Sequence, residues 1–263
     1  CLLSRGLGDV YKRQACARLA EEAGYDEVNL NVGCPSDRVQ NNMIGACLMA
    51  HPALVADCVK AMRDAVATPV TVKHRIGING RDSYAELCDF VGQVREAGCR
   101  SFTVHARIAI LEGLSPKENR EIPPLRYDVA AQLKADFPDL EIVLNGGIKT
   151  LAECQTHLQA FDGVMLGREA YHNPYLLADV DQQLFGSDAP VVSRREAMAQ
   201  LRPYIVAHME SGGAMHHITR HILGLAQGFS GARRFRQLLS ADIHKAAQPL
   251  VVFDQAAALL QGR

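Results

Sequence analysis

Five short runs rich in β-branched residues, each closing on a polar residue or a glycine, constrain this chain more than any other feature. They are Glu27-Val28-Asn29-Leu30-Asn31, Pro69-Val70-Thr71-Val72-Lys73, Ser101-Phe102-Thr103-Val104-His105, Glu141-Ile142-Val143-Leu144-Asn145 and Gly163-Val164-Met165-Leu166-Gly167. Amphipathic stretches over 51–66, 83–97 and 126–136 lie between them. Strands alternating with helices predict parallel βαβ units and an α/β fold. Functional-looking residues at successive strand ends favour a (β/α)8 TIM barrel, whose site gathers at the C-terminal ends of its strands. A doubly wound sheet would collect its ligand at one switch point instead. A full barrel has eight strands and five are countable, so the first three are expected to be missing from this sequence.

The pattern changes after Gly186. Ser187-Asp188-Ala189-Pro190 reads as a linker, and from Ser193 onward the periodicity is helical, with room for about four helices and no strand candidate. The expected organisation is a partial barrel over 15–186 and a small all-α domain over 193–263. Residues 1–14 fit neither pattern and are expected to be a non-native start. Charge follows the same division. Residues 194–263 carry nine Lys/Arg against four Asp/Glu and five of the ten histidines, whereas residues 1–193 carry 19 against 25. A basic tail on an acidic body suggests a polyanionic partner, although a solvated helical surface gives the same balance.

No stretch approaches the roughly 20 continuous apolar residues of a membrane span, and the first residues do not read as a signal peptide. The eight cysteines (1, 16, 34, 47, 58, 88, 99 and 154) are scattered without a C-x-x-C pair. Neither a disulfide framework nor a metal site is expected, and the thiols read as those of a reduced, cytoplasmic protein.

Three groups of residues carry candidate chemistry. Asn145-Gly146-Gly147-Ile148 and Gly167-Arg168 follow the last two strands, where this fold commonly seats a phosphate; two tight turns are the alternative. Lys73, Arg75 and His105 put cations and an imidazole at the strand ends, suited to holding negative charge or a ring edge. His105 alone is also read as a hydrogen-bonded rim histidine. Cys34, in Asn31-Val32-Gly33-Cys34-Pro35, directly follows a strand in an irregular loop, where a thiol can donate a proton; a buried packing thiol is the alternative. The other cysteines fall on helical patterns or in connections and read as core residues.

These stretches together resemble the dihydrouridine synthases. The likeness is carried by residues 29–35, the stretch from Asn41 to Ala46, Val72-Lys73-His74-Arg75-Ile76-Gly77, His105-Ala106-Arg107, Asn145-Gly146-Gly147-Ile148 and Gly167-Arg168, and runs from about Ala15 to the C-terminus. Residues 115–125 (Ser-Pro-Lys-Glu-Asn-Arg-Glu-Ile-Pro-Pro-Leu), 217–221 and 231–236 further resemble the bacterial A-type subfamily, which acts at positions 20 and 20a of the tRNA D-loop. The resemblance implies that NADPH reduces bound FMN, which passes hydride to C6 of a uracil ring while Cys34 protonates C5. It implies that Lys73, His105, Asn145, Gly146, Gly147, Gly167 and Arg168 contact FMN and that Asn31 sits against the target base. Lys117, Arg120, Arg233 and Arg236 are implied to contact tRNA, in a protein expected to be a monomer. A base must leave its stack to enter such a site, and phosphate contacts make affinity salt-dependent.

The sequence also departs from that family. It lacks the first strand with its Pro-Met motif and the third strand ending in a Gln-Leu-Gly-Gly-like turn. An unclosed arc of strands exposes edges, so the polypeptide as written is expected to be poorly stable and to bind FMN weakly or not at all. Two rival readings are a barrel flavoenzyme acting on a small molecule and a non-catalytic RNA-binding fragment.

Overall fold

The computed structural model describes residues 10–36, 40 and 43–260. Residues 1–9 of the expected non-native start, and Asn41 and Asn42 of the family-like stretch, lie outside the described residues. Residues 10–14 form the opening of helix α1 (Val10–Glu22), so that helix starts five residues before the point at which the sequence pattern turns helical.

The five strands read from the sequence are β1 (Val28–Val32), β2 (Val70–Arg75), β3 (Ser101–His105), β4 (Glu141–Asn145) and β5 (Gly163–Met165). They form one parallel sheet in chain order, β1-β2-β3-β4-β5. The fold is α/β, with α2 (Pro52–Arg63), α3 (Tyr84–Glu96), α4 (Tyr127–Asp136) and α5 (Leu151–His157) in the connections. Local chemistry explains several boundaries. Pro52 opens α2, where a missing N–H is harmless, and Ser83 with Glu86 closes a capping box on α3, a device that contributes about 1 kcal/mol.

The chain divides into two compact units. The first comprises the described residues up to Ile148 together with Thr156–Met165. One face of its sheet is the core: Leu30, Val72, Phe102, Val104, Ile142 and Leu144 are all nearly or wholly buried. His74 shares that face, fully buried between the rings of Phe90 on α3 and Phe102 at 5.2 and 5.8 Å. Because side chains alternate along a strand, Lys73 and Arg75 must point to the opposite face.

The second unit comprises Lys149–Gln155 and the residues from Leu166 onward. Its described elements are helical: α6 (Arg168–His172), α7 (Val180–Phe185), α8 (Arg194–Glu210), α9 (His216–Thr219), α10 (Ala232–Ser240) and α11 (Pro249–Leu259), with short 3-10 turns between. Met198, Ile205, Phe235, Leu238, Leu239 and Phe253 fill its core. Ser193 and Glu196 repeat the capping box at the start of α8. Among the described residues no helix is long and apolar enough to cross a membrane.

Candidate active site at the strand ends

The register of the parallel sheet assembles the candidate residues. Asn31 lies level with Lys73 and Lys73 with Thr103. One step along the same face, Arg75 lies level with His105, His105 with Asn145, and Asn145 with Met165. Residues level in a sheet share a face, so the register sets Lys73, Arg75, His105 and Asn145 on one surface at the C-terminal strand ends. Asn145 is fixed there by its side-chain amide, which donates to the Met165 carbonyl at 2.7 Å.

This surface is strongly cationic and poorly hydrated. Burial, then the neighbouring Arg75, lowers Lys73 to about 8, and its ammonium makes no hydrogen bond or ion pair among the described residues. Burial, then Arg107 and Arg120, lowers Arg75 to about 10, with an attraction to Cys34 acting the other way. His105 is driven far below the usual histidine range by burial, then by Arg75, Lys73, Arg107 and Arg120. Its imidazole is therefore neutral at pH 7, with one N–H donor and one acceptor. The charged groups that act most strongly on His105 are all cations. Such a cluster is costly to bury unless something anionic relieves it.

Cys34 lies in the turn after β1, half-buried. The Asn31 side-chain oxygen accepts from the Gly33 and Cys34 N–H groups at 3.0 and 3.2 Å, and the Cys34 carbonyl accepts from the Ala46 N–H at 2.8 Å. Asn31, expected against a substrate base, thus shapes the thiol-bearing turn with its oxygen. The seven described cysteines are all free. Cys58, Cys99 and Cys154 are buried, with thiols raised above the ordinary range by burial.

The glycine turn after β4, expected from the sequence to seat a phosphate, has a packing reason for its glycines. Gly146 and Gly147 have φ of +112° and +78°. A Cβ at Gly146 would meet the His105 ring at 2.7 Å, and one at Gly147 would meet Leu125 at 2.5 Å and the Tyr127 hydroxyl at 2.8 Å. Tyr127 also donates to the Gly146 carbonyl at 2.6 Å. Only glycine satisfies both the left-handed backbone and these approaches.

The remaining candidates are placed differently. Lys117 is exposed and Arg120 half-buried, at and beside the 3-10 turn Glu118–Arg120 that follows β3. Gly167, Arg168, Arg233 and Arg236 belong to the second unit. Gly167 has a negative φ of −121° and open space where a Cβ would stand, so neither a left-handed backbone nor a close approach marks this glycine as it does Gly146 and Gly147. Arg233 and Arg236 are exposed on α10, while Arg234 between them is paired with Asp242 at 2.8 Å. The sequence reading missed Asn119. It is wholly buried, and its side chain holds the loop after β3 together through the Ile110 N–H and the Ile110 and Leu114 carbonyls.

A family model described as "Dihydrouridine synthase (Dus)" matches residues 8–260. The chain belongs to the dihydrouridine synthase family. A dihydrouridine synthase from Pseudomonas putida, named tRNA-dihydrouridine(20/20a) synthase, is 93% identical over 249 residues, covering 95% of this chain and 74% of its own length. Proteins of the same name from Pseudomonas aeruginosa and Vibrio parahaemolyticus are 85% and 60% identical. They cover 95% and 92% of this chain and in each case 75% of the relative. The chain therefore spans about three quarters of these curated relatives. Among solved structures, a phosphoenolpyruvate phosphomutase from Streptomyces platensis matches with a TM-score of 0.43 at 16% identity, covering 95% of this chain and 88% of its own. That likeness is too slight to add to the argument.

Proposed function

We propose that the chain is a flavin-dependent oxidoreductase, a tRNA-dihydrouridine(20/20a) synthase that reduces the C5–C6 bond of uridine in the tRNA D-loop, using FMN and NADPH. The observation that carries this reading is the buried cation cluster beside a half-buried thiol at the strand ends. Lys73 and Arg75 have no ion pair among the described residues, and the charges that act most strongly on His105 are positive. That donor set fits a cofactor with a phosphate and a ring that takes on negative charge. When bound and reduced by NADPH, FMN supplies hydride to C6 of the uracil ring.

The chain's own residues do the rest. Lys73 offers its ammonium to the negatively charged side of the cofactor, and neutral His105 offers one donor to a ring edge or phosphate. Asn145, Gly146 and Gly147 form a turn that would hold the cofactor. Asn31 holds the 33–34 turn through its oxygen and leaves its amide N–H groups for the base. Cys34 gives its S–H proton to C5, and the bond pair remains on sulfur. Lys117, Arg120, Arg233 and Arg236 contact tRNA phosphates, and Gly167 and Arg168 are assigned to the cofactor phosphate on their sequence pattern. The finer architecture belongs to the same reading: a partial TIM-type barrel over 15–186 with a helical tRNA-binding domain over 193–263, in a cytoplasmic monomer.

The test is to add FMN to the purified protein, look for a protein-bound oxidised-flavin band that NADPH bleaches, and then supply unmodified tRNA. Dihydrouridine at position 20 or 20a supports the reading. A reducible flavin that turns over only small unsaturated molecules, or tRNA binding without flavin, would replace it with one of the two rivals.

A further inference from the structure

The guanidinium of Arg75 reaches three separate segments of chain. Its Nε donates to the Gly33 carbonyl at 3.2 Å, and its Nη1 donates to the Ile108 carbonyl at 3.2 Å and the Asn119 carbonyl at 2.9 Å. Gly33 directly precedes Cys34, and Asn119 directly precedes Arg120. Arg75 is only 2% exposed and has no carboxylate partner among the described residues, so carbonyl dipoles from two loops satisfy it. A planar guanidinium can hold several acceptors in fixed directions at once, which a lysine ammonium on its flexible stem does not reproduce. Asn119 keeps the far loop in shape by four side-chain hydrogen bonds, to the Ile110 N–H at 2.8 Å and to the carbonyls of Ile110 at 2.8 Å, Leu114 at 3.2 Å and Ser115 at 3.4 Å.

We propose that Arg75 is a positioning residue that ties the turn carrying Cys34 to the turn carrying Lys117 and Arg120, so that RNA held by the second turn fixes the thiol in the first. This rests on reading Cys34 as the proton donor and residues 117–120 as RNA contacts. The two turns lie more than 80 residues apart in sequence and belong to loops that follow different strands. Joined through one buried donor, they order together, and release of either end loosens both.

Site-resolved hydrogen exchange tests the tie without requiring turnover. The reporting amides are Gly33 and Cys34, bonded to Asn31, and Ile110 and Arg120, bonded to Asn119 and Lys117. In Arg75→Lys, exchange is expected to speed up about tenfold or more at both turns, while amides of β3 and β4 keep their protection. Asn119→Ala, which alters only the far turn, is expected to speed exchange at Gly33 and Cys34 as well. Unmodified tRNA transcript should slow both turns in the wild type and only the 110–120 turn in Arg75→Lys. Exchange at Gly33 and Cys34 that stays at the wild-type rate in either variant would overturn the tie. Coupled turns with no protection by tRNA in the wild type would instead overturn the RNA reading and leave the tie standing.

Discussion

Cations are used in opposite ways by the two units of this molecule. In the first, Lys73 and Arg75 are packed together at strand ends beside a neutral His105, desolvated and pressing on one another's charge. In the second, Arg233 and Arg236 stand in solvent on one helix. An exposed arginine adds little to the free energy of folding, and its long-range field is screened by salt. A buried, crowded cation opposes folding until a ligand neutralises it. Under the proposed function, the contrast separates the place where a bound group is needed from the surface where a polyanion is gripped.

The largest effect expected inside the first unit is on chemistry. Cys34→Ala should lower the rate of dihydrouridine formation by about 10² to 10⁴, the range for a lost general acid. Mass spectrometry of digested tRNA measures it, with NADPH bleaching of the flavin and tRNA affinity held as controls. If the variant forms product at the wild-type rate, Cys34 is a packing thiol and the first half of the contrast loses its proton donor.

A smaller effect sharpens the same contrast through pH. His74, on the core face of β2, is lowered from 6.5 to about 4, by burial first and then by the Lys73 charge, with its bond to the Arg75 carbonyl opposing. A histidine whose folded pKa is depressed gives the fold its full stability above the unfolded value. That stability is lost as pH falls from about 6.5 towards about 4. The loss approaches about 3 kcal/mol at the low end. Urea midpoints at pH 7 and pH 4.5 should therefore converge in His74→Asn relative to wild type. An unchanged difference between the two midpoints would mean that His74 takes up its proton without disturbing the core.

Much of the first unit was legible in the sequence because parallel strands buried on a face announce themselves as β-branched runs. All five were found, β3 and β4 with the same ends and β1, β2 and β5 displaced by a residue or two. The strand-end candidates were legible for the same reason, since polar residues closing successive strands fall on one rim. What stayed hidden was every partner made by distant chain. Nothing in the local pattern shows that Asn119 is wholly buried, or that Arg75 spends its donors on three carbonyls. Gly146 and Gly147 were read as room for a phosphate, yet His105, Leu125 and Tyr127 already forbid a Cβ there. Asn31 was read as a base contact, while its oxygen is committed to the turn that holds Cys34. The early start of α1 at Val10 escaped because residues 10–14 show no clear period of their own.

The most direct test of the division of labour measures two affinities on two double variants. FMN and tRNA dissociation constants would be determined for Lys73→Met/His105→Ala and for Arg233→Ala/Arg236→Ala across a range of salt. The account predicts a crossover. The strand-end pair should lose FMN by about tenfold or more and keep its tRNA affinity. The helix pair should keep FMN, weaken tRNA binding by about tenfold, and flatten the salt dependence by about two counterions. Parallel losses in both variants, or FMN affinity indifferent to Lys73 and His105, would contradict the assignment of the strand ends to the cofactor.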